Sequence, residues 1–124
     1  MLENFQPYNI TIGMPAVSFT SNGITFNKTA VVRMGRPDHV VLYINEKEKQ
    51  IAIKKTDGYD ENATPFFKPK KNEIISVRWG NKELLNKIYN MMSWNIKQDA
   101  YKVNGVYYAD EEVMIFDLNN VEEI

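Results

Sequence analysis

The stretch from His39 to Lys54 constrains the fold more than any other part of the chain. His39 to Asn45 is rich in β-branched and aromatic residues, and Gln50-Ile51-Ala52-Ile53-Lys54 alternates apolar with polar. The charged Glu46-Lys47-Glu48-Lys49 between them predicts a hairpin turn. A hairpin alone is marginal in water, so its apolar face needs further strands or a helix to cover it.

The flanking sequence supplies such elements. Ala16-Val17-Ser18-Phe19-Thr20 alternates as a half-buried strand, Asn22-Gly23 offers the positive φ angles of a tight turn, and Ile24-Thr25-Phe26 returns as a second strand. Asn27 is placed to cap a short helix with its side-chain oxygen; Ala30, Val31 and Met34 share one face, and Gly35 and Pro37 stop it. Thr56 to Asn72 carries Gly58, Pro65 and Pro69 without periodicity and reads as a long loop or as a divider between two halves. After a strand at Ile74 to Trp79, the run Asn81 to Trp94 sets Leu84, Ile88 and Met91 on one stripe, widened by Leu85 and Met92, and predicts the longer helix. The remainder reads as a meander: Tyr101 to Val103, a turn at Asn104-Gly105, Val106 to Tyr108, a turn at Asp110 to Glu112, and Val113 to Phe116.

The expectation is one α+β domain over residues 1–124, a small β-rich barrel or two-layer fold with one short and one longer helix. Ile24-Thr25-Phe26-Asn27-Lys28 and Val77-Arg78-Trp79-Gly80-Asn81-Lys82 each lead from a strand through Asn-Lys into a helix and then a hairpin. Residues 16–56 and 73–118, joined by the loop 57–72, therefore read as two copies of a strand-helix-hairpin unit, each able to bury the other's apolar face. A chance succession of short α+β patterns gives the same order, and both readings stand.

No cysteine occurs, which removes disulfides and thiolate zinc sites and suits a reducing compartment. The N-terminus lacks a basic segment followed by an apolar run, no stretch approaches a membrane span, and a cytoplasmic location is expected. The 15 basic and 16 acidic residues give no general attraction to polyanions or membranes, but their distribution is uneven. Phe66 to Lys87 is locally positive, and the chain from Asp99 onward is acidic.

Chemistry-bearing patterns are sparse. His39, the single histidine, opens a strand after a turn and has no sequence neighbour that suggests a metal or acid–base partner. Asp57 to Asn62 lacks the ligand spacing of a calcium loop, and Asp110-Glu111-Glu112 reads as a solvated turn. Asn9-Ile10-Thr11, Asn27-Lys28-Thr29 and Asn62-Ala63-Thr64 match the glycosylation sequon but are read as chance. No phosphate-binding glycine loop or nucleophile elbow is present, so no enzyme, cofactor or metal is expected. Phe66-Phe67-Lys68-Pro69-Lys70-Lys71 interleaves aromatics with cations, a pattern that either stacks on a nucleic-acid strand or anchors a loop to the core.

Gly23 to Lys55 resembles the AbrB/SpoVT-type swapped-hairpin unit. Met34-Gly35 stand where that family has Leu-Gly, Lys28 matches a lysine near the helix start, and Val40 to Ile44 with Ile51 to Ile53 match its hairpin. The family's proline before that lysine is Asn27 here, its helix arginines are Val31 and Val32, and Pro37-Asp38-His39 replace its Gly-Asp. The resemblance implies half of a small barrel completed by a second copy, and a non-enzymatic DNA-binding or regulatory role. By carry-over, Lys28, Arg33 and Arg36 would contact phosphates, with Lys68, Lys70 and Lys71 as additional cations. The chain is also similar to short bacterial and phage proteins with Ile-x-Phe-Asn-Lys and Gly-x-Pro patterns.

The alternative expectation is a protein-interaction or scaffold module, binding another protein or a second copy of itself through Tyr107 and Tyr108 or through Trp79 and Trp94. Strand alternation cannot bury Tyr107 and Tyr108 on the same face, so at least one of them is expected at the surface.

Overall fold

Alternation of apolar residues drives the chain into strands, and each strand finds its neighbours through that pattern. The computed structural model describes residues 1–6, 13–69 and 74–124. Within them lie β1 (Ala16–Thr20), β2 (Gly23–Phe26), α1 (Lys28–Arg33), β3 (His39–Asn45), β4 (Gln50–Thr56), β5 (Ala63–Pro65), β6 (Val77–Trp79), α2 (Lys82–Met92), β7 (Tyr101–Tyr108) and β8 (Val113–Glu123). Among the described residues the eight strands form one antiparallel sheet in the order β5-β3-β4-β8-β7-β1-β2-β6, curled as a half-barrel. The result is a small β-rich α+β fold.

The concave side holds the core. Phe19, Phe26, Ile51, Ile53, Met114, Phe116 and Leu118 from the sheet pack with Val31 of α1 and with Leu85, Ile88 and Tyr89 of α2. Phe26 lies against Phe66, Trp79 and Phe116 with ring centroids 5.3, 5.0 and 5.8 Å away, mostly edge to face, the arrangement aromatic quadrupoles favour. A second group gathers on Trp94, with Phe19, Tyr89 and Tyr101 at 5.6, 5.5 and 4.4 Å. Trp79 and Trp94 are thus half-buried core neighbours rather than free surface aromatics.

The two strand-helix-hairpin segments are built alike. Each helix is capped by an asparagine whose side chain accepts from the backbone three residues on, Asn27 from Ala30 N at 2.9 Å and Asn81 from Leu84 N at 3.0 Å. Each ends in paired Schellman bonds, Gly35 N to Val32 O with Arg36 N to Val31 O, and Ser93 N to Asn90 O with Trp94 N to Tyr89 O. Each hairpin turns through four residues, 46–49 and 109–112, whose last member, Lys49 or Glu112, has positive φ. The sheet joins the two segments like to like, β2 with β6 and β4 with β8, and also β1 with β7, while β3 pairs on its other side with β5 from the joining stretch. Its edge strands, β5 and β6, approach where Trp79 Nε1 donates to Pro65 O at 3.2 Å.

Several local expectations are corrected. Asn104-Gly105 is not a turn: β7 runs through it, because Tyr101 to Asn104 pair with β1 while the same strand pairs with β8 on its other side. The glycine instead marks a register irregularity under Phe116, where a Cβ would lie 2.6 Å from the ring. The first hairpin turns on Ser21 and Asn22, and Gly23 belongs to β2 with φ 141°, where a Cβ would meet Trp79 O at 2.6 Å. The loop after Thr56 contains β5, whose three residues pair with β3, and the strand expected from Ile74 is assigned only from Val77.

Candidate nucleic-acid interface

α1 positions the cations carried over from the family resemblance. Ala30 and Val31 are buried, and this fixes the helix rotation so that Lys28, Arg33 and Arg36 stay exposed. No acidic residue lies in the first turn, and Arg33 sits in the last, where the helix dipole favours a cation. Of the two valines at the family's arginine positions, Val31 fills the core and Val32 is exposed.

The chain after β5 brings a further cation to this place. Phe66 N donates to Asp38 O at 2.7 Å and Phe67 N to Pro37 O at 3.0 Å, which extends the pairing of His39 with Pro65. Lys68 follows directly on this bonded segment, and Arg36 directly precedes its partner Pro37. Phe66 and Phe67 are buried, so they anchor this segment to the core and are not available for stacking on bases. Lys68 is exposed. Lys70 and Lys71 lie outside the described residues.

Among the described residues the ion pairs are Lys55 with Glu112 at 3.8 Å, Lys87 with Glu46 at 2.6 Å, and the N-terminus with Glu3 at 2.5 Å. Hydrogen bonding and charge from Lys87 hold the Glu46 carboxyl below its ordinary pKa. Lys28, Arg33, Arg36 and Lys68 form no such pair among the described residues. Arg33, Arg36 and Lys68 on these neighbouring segments outnumber the one exposed carboxylate among them, Asp38, and leave a net positive charge that an anion would neutralise. Arg78 and Lys82 are also exposed, and Arg78 Nε donates to Thr25 Oγ1 at 3.4 Å on the β2–β6 pair.

The remaining candidates are scattered. His39 is half-buried beside Gly58, where a Cβ would come within 3.2 Å of the ring. Among the described residues there is no group of three or more histidine or acidic side chains able to hold a metal ion. Tyr107 packs against the core, while Tyr108 is 48% exposed on the outer face. A depression of about 720 Å³ between the β3–β4 turn and α2 is an open surface groove lined by Glu46, Lys49, Glu83, Asn86, Lys87 and Asn90. Among the described residues no helix is long and apolar enough to cross a membrane.

No protein-family model, curated protein or solved structure matches the chain.

Proposed function

We propose that the chain is a non-enzymatic nucleic-acid-binding regulatory module, built as two swapped-hairpin units fused in one polypeptide and acting in the cytoplasm. The paired Asn caps, the paired Schellman ends and the like-to-like strand pairing support the two-unit reading. The observation that carries the binding reading is that Lys28, Arg33, Arg36 and Lys68 are all exposed, Lys68 following the segment bonded to Pro37 and Asp38 just after α1, with no carboxylate paired to any of these cations among the described residues. In this reading Lys28, Arg33, Arg36 and Lys68 contact phosphates, which position a duplex without reading its bases.

Fluorescence anisotropy on labelled duplexes tests it. Four phosphate contacts give a slope of log K against log salt of about −3.6, so raising salt from about 50 to about 200 mM weakens binding on the order of 100-fold. Arg33→Ala/Arg36→Ala/Lys68→Ala reduces the slope to about −1. Absence of any complex at low salt, or a slope unchanged by the triple substitution, rejects the reading. A second reading, a protein-interaction module, rests on the outer sheet face, where Tyr43, Val106 and Tyr108 stand in solvent.

A further inference from the structure

The outer side of β3, β4, β8 and β7 carries a continuous apolar row. The register aligns Tyr43 with Ala52, Ala52 with Ile115, and Ile115 with Val106, one residue from each strand. Tyr43 is 52% and Val106 56% exposed, and Ala52 and Ile115 between them are half-buried. The adjoining row, Val41, Lys54, Val113 and Tyr108, adds the exposed ring of Tyr108. The row on the other flank is polar, with Asn45, Gln50 and Asp117.

Strand alternation explains why a row forms but not why it is apolar. Outward positions of a sheet with one face in water are ordinarily polar, and a contiguous apolar stripe there marks a contact surface. Strand and residue spacings make the three rows about 20 Å by 20 Å, a footprint of roughly 400 Å² per partner, the size of a weak, transient interface. Tyr43, Val106 and Tyr108 alone leave on the order of 300 Å² exposed.

The two flanks carry opposite charges, a pattern that complements itself in a second copy. Lys54 lies on one side of the apolar row and Asp117 on the other, on neighbouring strands. Lys54 Nζ donates to the Glu111 backbone oxygen and forms no ion pair among the described residues. The Asp117 carboxylate accepts only from the backbone and side chain of Asn119 and from the Asn120 side chain, again with no cation among the described residues. We infer that this face binds a second copy of the chain, the two apolar rows packed on each other about a two-fold axis that runs along the row. Such an axis turns the Lys54 flank of one copy onto the Asp117 flank of the other, so two opposite-charge contacts form per dimer. An axis along the strands would instead set Lys54 flank on Lys54 flank and leave both charges uncompensated.

The inference is independent of nucleic-acid binding and is tested without nucleic acid, by sedimentation equilibrium of the full chain from about 5 to about 300 µM, with circular dichroism melts as a fold control. An interface this small makes a weak dimer, forming toward the upper end of this concentration range. Val106→Lys yields a monomer with an unchanged cooperative melt. Lys54→Asp and Asp117→Lys each weaken the dimer about tenfold, and the double swap restores it to within about threefold, because the contact is intermolecular and opposite in sign. A chain monomeric throughout the range, a dimer indifferent to Val106→Lys, or a double swap no better than either single one overturns the inference. Capture of a different protein on this face by a chain that stays monomeric overturns it as well.

Discussion

Replacing the two helix-capping asparagines by alanine separates what a cap contributes from what a tether contributes. Asn81 Oδ1 accepts from Leu84 N alone, at an exposed site, and its loss costs about 1 kcal/mol, the ordinary value for a cap. Asn27 does more. Its Oδ1 accepts from Ala30 N at 2.9 Å and from Ala16 N at 3.0 Å, and its Nδ2 donates to Met14 O at 2.9 Å. Ala16 is 2% exposed, so Asn27→Ala leaves a buried amide without a partner, adding about 1 to 2 kcal/mol to the cap loss. The expected totals are about 1 kcal/mol for Asn81→Ala and about 2 to 3 kcal/mol for Asn27→Ala. Urea titration followed by tryptophan fluorescence measures both, and with m near about 1.5 kcal/mol/M the midpoints fall by about 0.7 M and about 1.3 to 2 M. Asn27→Asp keeps the acceptor oxygens and gives up only the donor to Met14 O, so it loses less than about 1 kcal/mol. Equal losses for the two alanine variants, or a larger one at Asn81, would refute the tether.

Gly105→Ala puts a methyl 2.6 Å from the ring of Phe116, which is fully buried, and destabilises by about 3 kcal/mol in the same titration; a loss under about 1 kcal/mol would show that Phe116 yields. Ser93 holds φ 59° at the end of α2, so Ser93→Gly raises stability by about 0.5 to 1 kcal/mol, and a decrease would contradict the Schellman account. Tyr89 is 1% exposed and donates its hydroxyl to Asp99 O at 2.8 Å; burial, then the charges of Asp99 and Tyr101, raise its pKa. A raised folded-state value means this contribution is complete below the unfolded tyrosine pKa of about 10 and is lost as pH rises through the folded one. Urea midpoints between about pH 8 and 11.5 therefore decline more steeply for the native chain than for Tyr89→Phe, and parallel declines would exclude the residue. Tyr101, raised by burial and by Asp99 and Glu123, leaves a residual slope in that variant.

What the sequence made legible were the elements whose rules are local. The 39–54 hairpin with its turn at 46–49, the Asn27 cap and the Asn81-led helix all depend on residues within a few positions of each other, and all are present as read. The misread glycines depend on distant partners. Gly105 looks like a turn residue until Phe116 is known to cover it, and Gly23 until Trp79 is known to approach it. β5 was hidden because three residues containing a proline carry no period and are held by β3 alone. In the candidate site, Lys28, Arg33 and Arg36 were named by the family resemblance alone, whereas only the backbone bonds of Phe66 and Phe67 to Asp38 and Pro37 show that the segment leading to Lys68 runs beside the end of α1. The outer apolar row had a sequence signal in Tyr43, Val106 and Tyr108, but only the strand register assembles it.

Because β1 is completed by β7 and β4 by β8, neither strand-helix-hairpin segment owns a finished sheet. A nascent chain leaving the ribosome must present β1 unpaired on that side until residue 101 and its followers emerge, and the hairpin β3–β4 must wait for β8. Assembly is consequently late, slowed by the closure of long chain segments, and concerted once it begins. A truncation before β7 would release a sticky edge rather than a smaller version of the molecule.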